Sequence, residues 1–186
     1  PACGHSTVLV VSDRQDAKGL ERARSLGVES IYVALPPLTD RSERRAQHEA
    51  MVLEALESSG VELVLLSGYM RLLTPVLVDR WAPHLLNIHP SLLPAFPGAH
   101  AHRDALAAKA TVSGCTVHRV DEGMDTGLDL SQRRVPVLQG DVEANLAERI
   151  KIEEHRLHPL KVDRLVKQTL TSGGGRFASC VPAVPC

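Results

Sequence analysis

The order in which short apolar runs and helix-like segments alternate constrains this chain more than any other feature. Thr7 to Val11 is an apolar, β-branched run leaving into Ser12-Asp13, as a buried strand does at a turn. Ala17 to Leu26 is rich in helix formers and stops at Gly27, the residue type favoured just past a helix C-terminus. Ser30 to Ala34 reads as a second strand. After a Pro-Pro loop, Asp40 with Glu43 makes a capping-box-like start to a helix that runs to Gly60. Glu62 to Leu66 supplies a third strand, Thr74-Pro75 an N-cap and first helical residue, and Leu85 to Ile88 a fourth strand. The period βαβαβαβ predicts a parallel sheet covered by helices on both faces, with ligands gathering beyond the carboxyl ends of the strands. Asn87 and His89 fall at such an end.

Past a Pro- and Gly-rich loop the pattern changes. Ala101 to Lys109 reads as a helix, Ser113 to Val120 as a strand, and Leu128 to Val137 as its antiparallel neighbour. Gly140-Asp141 opens a long helix from about Val142 towards Lys167, with Leu146, Ile150 and Leu157 on or near one face. From Thr171 the text turns to Ser-Gly-Gly-Gly and then to Pro-punctuated Val and Ala. Residues 1–170 are therefore expected to form one domain around one core, and 171–186 a disordered tail.

With 21 basic and 22 acidic side chains, the net charge of -1 offers no electrostatic footprint for a nucleic-acid backbone or an anionic membrane. An anionic ligand must be held by local groups. Four cysteines, at positions 3, 115, 180 and 186, form no CxxC pair, which argues against a zinc site or a disulfide framework. No histidine set has a carboxylate partner placed to close a metal site, so no metal is expected. No apolar run approaches the roughly 20 residues that cross a bilayer, and the first residues lack signal-peptide character. The expected setting is the cytoplasm, with no nucleic-acid and no membrane partner.

Asn87-Ile88-His89-Pro90-Ser91-Leu92-Leu93-Pro94 puts an amide and an imidazole two residues apart at the mouth of an apolar strand. The strand period of two projects both to one face. An amide that donates to a developing oxyanion and an imidazole that donates or shuttles a proton are what acyl or formyl transfer to an amine requires. By residue type alone, a turn-capping asparagine and a hydrogen-bonded loop histidine account for the pair equally well.

The neighbouring words extend the pattern. The run Asn87 to Pro94, then Phe96-Pro97-Gly98, His100 and His102, resembles the signature of the glycinamide ribonucleotide formyltransferase family. So do Gly68 to Leu73, Gly114 to His118, Val120 to Gly127, and Glu154-His155, and the likeness extends from roughly Val8 to Leu165. The resemblance implies a Rossmann-like α/β fold of formyltransferase type, with a mostly parallel sheet, helices on both faces, an antiparallel C-terminal strand pair and a long helix. It implies a formyl donor, 10-formyltetrahydrofolate, and an acceptor, the amine of glycinamide ribonucleotide, in purine biosynthesis, with no metal. It leaves a homodimer open.

The resemblance also assigns residues. His89 matches the general acid, Asn87 the group that holds the formyl oxygen, and Asp125 the carboxylate that orients a water and supports the imidazolium. A carboxylate near an imidazole favours its charged form. The folate maps onto Met70, Arg71, Leu72 and Leu73, onto Asn87, and onto the loop Asp121, Glu122, Gly123, Met124 and Asp125. Arg45, with Arg44 beside it, meets the folate's glutamate tail. Lys151, Glu154 and His118 map to the nucleotide substrate, Glu154 facing the ribose hydroxyls. From residue types alone, Met70, Leu72 and Leu73 read as core, and Arg45 as a solvated helix face.

Two departures stand out. Family members open with a strand and a glycine-rich turn whose N–H groups bind the substrate phosphate. Pro1 to Ser6 stands before what matches the family's second strand, so the domain is expected to be N-terminally incomplete. Asp129 interrupts a normally apolar strand, where burial without a partner would cost several kcal/mol. A deformylase and methionyl-tRNA formyltransferase share the Asn-x-His and Asp elements, and a non-catalytic folate-binding remnant is the alternative from another class.

Overall fold

The computed structural model describes residues 5–170 and 177–180. β1 (His5–Ser12) leads through a turn to α1 (Lys18–Ser25), which stops where Gly27 takes a φ of 71°, in the left-handed region that glycine enters without a Cβ clash. β2 (Glu29–Tyr32) and α2 (Arg41–Ser58) follow, the latter capped by Asp40, whose carboxylate accepts from the Ser42 and Glu43 amides. β3 (Leu63–Ser67), α3 (Pro75–Trp81) and β4 (Leu85–His89) complete the alternating part. Then come α4 (Ala101–Ala107), β5 (Val112–Arg119), β6 (Asp129–Pro136), α5 (Glu143–Leu170) and β7 (Phe177–Cys180).

The seven strands lie in one sheet in the order β2-β1-β7-β3-β4-β5-β6. β1 to β4 and β7 pair in parallel, while β5 runs antiparallel to both β4 and β6. Side-chain alternation divides the core between the faces. Leu9, Val11, Val64, Leu66 and Leu85 pack with Leu56 of α2 and with Leu77, Val78 and Trp81 of α3. On the other face Leu63, Leu65 and Leu86 meet Val162 and Val166 of α5, and Ile88, Cys115, Val117 and Val135 meet Leu146, Ile150 and Leu157 further up that helix. Val10 packs against α1 through Leu20 and Ala23. The doubly covered sheet is the architecture that the alternation predicts. One helix, α5, covers the strands on which the polar cluster is mounted.

Three local expectations change. The segment 171–186, expected to be a disordered tail, supplies β7, which fills the place between β1 and β3 and pairs with both. The remainder of that segment, 171–176 and 181–186, lies outside the described residues. Asp129 is exposed at the start of the edge strand β6, so its carboxylate stays solvated and the expected burial cost does not arise. Thr74 is the N-cap of α3 by position, but its hydroxyl makes no cap bond and instead donates to Glu49.

Candidate active site

β4 carries Asn87 and His89 on the face opposite Ile88, and antiparallel pairing sets His118 of β5 directly across from Asn87. The His118 Nδ1 lies 2.8 Å from the carbonyl oxygen of Arg119, which only accepts, so that nitrogen carries the hydrogen. In the neutral ring Nε2 then accepts from the Asn87 amide nitrogen at 3.1 Å. This fixes the Asn87 amide with its nitrogen towards His118, and leaves one N–H and the carbonyl oxygen for other partners. Protonation of His118 would turn Nε2–H towards Asp125 Oδ1, 3.5 Å away, and require the Asn87 amide to turn its oxygen to the ring.

His89 is 5% exposed and has an acceptor at each ring nitrogen. Nε2 donates to the Phe96 carbonyl at 2.9 Å, and Nδ1 lies 3.3 Å from Asp125 Oδ2. The imidazolium form, with a hydrogen on both nitrogens, satisfies both contacts. Asp125 Oδ2 also accepts from the Gly98 amide at 2.8 Å. With a hydrogen on Nε2 turned to Asp125, the His118 ring holds the Asp125 carboxyl below the usual carboxylate range against the opposing effect of burial, with the Gly98 amide and His89 adding to the depression. Burial keeps His102 below the ordinary histidine range, Glu143 opposing this and His89 reinforcing it.

The loops that deliver these groups are unusual in backbone. Phe96 and Asp125 have φ of 56° and 55°, conformations that non-glycine residues adopt rarely and that concentrate at functional sites. At Asp125 the left-handed turn swings the carboxylate back over β4. Its loop is closed by the Arg119 amide donating to the Leu128 carbonyl, and Asp121 accepts from the Gly123 amide and the Thr126 hydroxyl. A Cβ on Gly127 would run into the Arg119 carbonyl, so only glycine lets the two strands of this loop approach so closely.

Behind His89 the chain from Ser91 to Ala95 is held by a buried network. The Thr116 hydroxyl donates to the Ser91 carbonyl at 2.7 Å and accepts from the Leu93 amide, while the Gln132 side chain donates to the Leu93 carbonyl and to Thr116. The sequence reading missed Thr116, Gln132, the Phe96 carbonyl and the Gly98 amide. The available signal was Thr116, a polar residue between the buried apolar Cys115 and Val117.

The expected folate residues fall into two groups on the face that Asn87 shares. Met70, Arg71 and Leu72 are exposed in the loop between β3 and α3, with Met70 65% and Leu72 49% accessible, whereas Leu73 packs against the core. Asp121, Glu122, Gly123 and Met124 form the exposed tip of the loop that carries Asp125. Arg45 is exposed near the start of α2. A cavity of about 520 Å³ opens beneath α2, bordered by Val11, Leu66, Tyr69, Met70, Arg71 and Leu73. None of Asn87, His89 and Asp125 lines it, so the polar cluster, not the cavity, locates the chemistry.

The expected nucleotide residues are not brought together in one place. His118, 2% exposed with both nitrogens engaged, holds its neighbours and offers little surface of its own. Lys151 and Glu154 sit on α5, across the sheet from Asn87. Burial pushes the Glu154 carboxyl up to about 7, with Lys151 opposing the shift. Among the described residues, no group of three or more His, Cys, Asp and Glu side chains is placed to hold a metal ion.

An α/β sheet that presents an amide, an imidazole and a carboxylate linked through His118 at its strand ends defines a site suited to acyl or formyl transfer to a nucleophile. The formyl transferase family model matches residues 2–162, and the chain belongs to that family. It is 43% identical over 152 residues, 82% of its length, to the trifunctional purine biosynthetic protein adenosine-3 of Drosophila pseudoobscura pseudoobscura, but spans only 11% of that protein. With the phosphoribosylglycinamide formyltransferase of Bacillus subtilis it shares 39% identity over 87% of this chain and 80% of the relative. Glycinamide ribonucleotide transformylase 1 from Symbiobacterium toebii superposes with a TM-score of 0.81 at 43% identity, over 87% of this chain and 74% of that one.

Proposed function

We propose that this chain transfers the formyl group of 10-formyltetrahydrofolate to the amine of glycinamide ribonucleotide, a step of purine biosynthesis. The observation that carries the reading is the contact chain Asn87–His118–Asp125–His89, which assembles an oxyanion donor, a proton donor and a carboxylate at the end of β4. The identities to enzymes named for this reaction favour glycinamide ribonucleotide as acceptor.

In this reading the neutral substrate amine attacks the formyl carbon, the free Asn87 N–H donates to the formyl oxygen, and the His89 Nδ1–H leaves its longer contact with Asp125 to share the charge that develops there. Asp125 balances the imidazolium and, through a water, relays the proton that the amine loses to the departing folate nitrogen. The carbon–nitrogen bond to the acceptor forms as that to the folate breaks, with no covalent bond to the protein. Arg45, Met70 to Leu73 and the Asp121 to Asp125 loop take the folate, and exposed Met70, Leu72 and Met124 offer apolar surface suited to its rings. Lys151 and Glu154, across the sheet from Asn87, serve the nucleotide if it reaches round the strand ends to place its amine at Asn87, with His118 acting behind Asn87. The reading also carries a cytoplasmic setting, which suits a reaction between two water-soluble metabolites. Among the described residues, no helix is long and apolar enough to cross a membrane.

Acceptor competition tests the proposal. Incubating the chain with 10-formyltetrahydrofolate and, in turn, glycinamide ribonucleotide, water alone or charged initiator tRNA should give formyl transfer to the first. Formate release without transfer would favour a deformylase, transfer to the tRNA a tRNA formyltransferase, and folate binding without turnover a binding remnant.

A further inference from the structure

The segment between β3 and α3 projects Met70 and Leu72 into solvent, yet no backbone–backbone hydrogen bond ties residues 68–73 to their surroundings among the described residues. Such a segment holds one conformation only if its ends are pinned by side chains. At one end Arg71 Nε donates to Asp13 Oδ2 at 2.8 Å, anchoring the loop to the end of β1. At the other end stands Glu49, on α2 and 3% exposed. Its two carboxylate oxygens each accept from the Thr74 amide at 3.0 Å, and one also accepts from the Thr74 hydroxyl.

This arrangement is more specific than ordinary helix capping. An N-cap threonine commonly turns its hydroxyl back to the first-turn amides, but Thr74 makes no such bond. A carboxylate from a different helix takes its hydroxyl and its amide together, at the N-terminus of α3 where negative charge is favoured. Tyr69, two residues before Arg71, packs against the core, and burial, with Glu49 and Asp13 adding, pushes its hydroxyl up to about 12. A buried carboxylate bonded to three donor contacts on one residue is costly to disturb, because each lost partner leaves a desolvated group unsatisfied.

We infer that Glu49 is a positioning residue for the folate: by clamping Thr74 it sets the course of Met70 to Leu73, and so the fit of that segment to the donor, without touching substrate itself. The inference rests on the reading that this segment receives the folate. Its signature is selective, because loosening the loop weakens donor binding and leaves the Asn87–His89–Asp125 cluster, on β4 and the loop between β5 and β6, intact.

The test uses the full chain with Glu49→Gln, Thr74→Val and Thr74→Ser, measuring steady-state constants for both substrates and equilibrium binding of 5-formyltetrahydrofolate. Trp81, the single tryptophan, is buried on α3 and reports whether that helix remains docked. Glu49→Gln and Thr74→Val should each raise the folate KM and Kd about ten-fold, the scale of a lost charge-assisted bond, with kcat and the nucleotide KM within about two-fold. Thr74→Ser, which keeps both bonds, should behave as wild type. Equal losses in kcat and in both KM values, with altered Trp81 emission, would reduce Glu49 to a general structural role and overturn the inference. Unchanged folate binding in Glu49→Gln and Thr74→Val would also overturn it, and Met70→Ala then separates the causes. If Met70→Ala weakens folate binding, only the positioning role fails; if it does not, the folate reading of the segment fails with it.

Discussion

Asp125 Oδ2 lies 3.3 Å from His89 Nδ1 while the opposite ring nitrogen of His89 donates to the Phe96 carbonyl, so the imidazole is held between a carboxylate and a carbonyl. A hydrogen on each ring nitrogen would satisfy both acceptors. The charge of Asp125 is what makes its contact with His89 more than a fit of shape. Asp125→Asn keeps the size and tolerates the left-handed backbone, since asparagine enters that region readily. Its kcat should fall by at least about 10², the lower range for loss of acid–base assistance, with folate Kd little changed. Stopped-flow formyl transfer beside equilibrium binding checks both halves.

Asn87 owes its orientation to His118, whose Nδ1 is committed to the Arg119 carbonyl. Asn87→Ala removes the proposed oxyanion donor and should lower kcat by about 10²–10³. His118→Phe leaves Asn87 free to rotate and should show a smaller loss of the same kind. A His118→Phe variant with raised substrate KM and normal kcat would instead return His118 to direct substrate binding.

Gly127 is confined by the Arg119 carbonyl. Gly127→Ala should force the Asp125 loop open, lowering stability by about 1–3 kcal/mol, as overpacking does. Denaturant unfolding measures the stability change, and activity should fall with it because Asp125 moves.

Burial raises the Glu154 carboxyl from 4.5 to about 7. The folded state therefore holds this proton more tightly than the unfolded chain. Its contribution to stability is fully present below pH 4.5 and is lost as the pH rises through about 7. Glu154→Gln should remove that slope from a plot of stability against pH. If the ionised carboxylate meets the ribose hydroxyls, the wild-type KM for glycinamide ribonucleotide should fall as pH rises through this window, and the Gln variant should lose the dependence.

Asp141, just before α5, accepts two bonds from Arg149 and one from the Leu138 amide, and the Arg149 bond chiefly holds its carboxyl at about 2, below the ordinary 3.8. A depressed carboxyl contributes stability above its unfolded value and loses it as the pH falls through the folded one. Wild type should therefore lose a step of stability between pH 3.8 and about 2 that Asp141→Asn lacks, as followed by circular dichroism.

The elements legible in the sequence are those whose signals are local. Asp40 caps α2 because its partners are two and three residues away, and the strands from β1 to β4 announce themselves by apolar runs bounded by turn residues. Thr74 was legible as a helix start, but its hydroxyl partner Glu49 lies 25 residues upstream, where only packing of α2 against α3 brings it into reach. β7 was missed for a similar reason: Phe177 to Cys180 follow a run of glycines, and their pairing partners belong to β1 and β3.

The site divides in the same way. Asn87 and His89 share a strand, so their common face follows from period two. The contact with Asp125 depends on a left-handed turn and on Gly127, and no periodicity reveals it. The Phe96 carbonyl and Gly98 amide are backbone groups and leave no mark in residue types. Neither does the Nδ1 of His118, whose bond to the Arg119 carbonyl turns Nε2 towards Asn87.

Transfer of a labelled formyl carbon from 10-formyltetrahydrofolate to glycinamide ribonucleotide, followed in single turnovers with the full chain and its His89→Ala variant, tests the central claim most directly. The label should appear in the formylated nucleotide with the wild type and at least about 10² more slowly with the variant, the loss typical of a removed acid–base or oxyanion group. Equal rates in the two proteins, or label recovered only as formate, would contradict it.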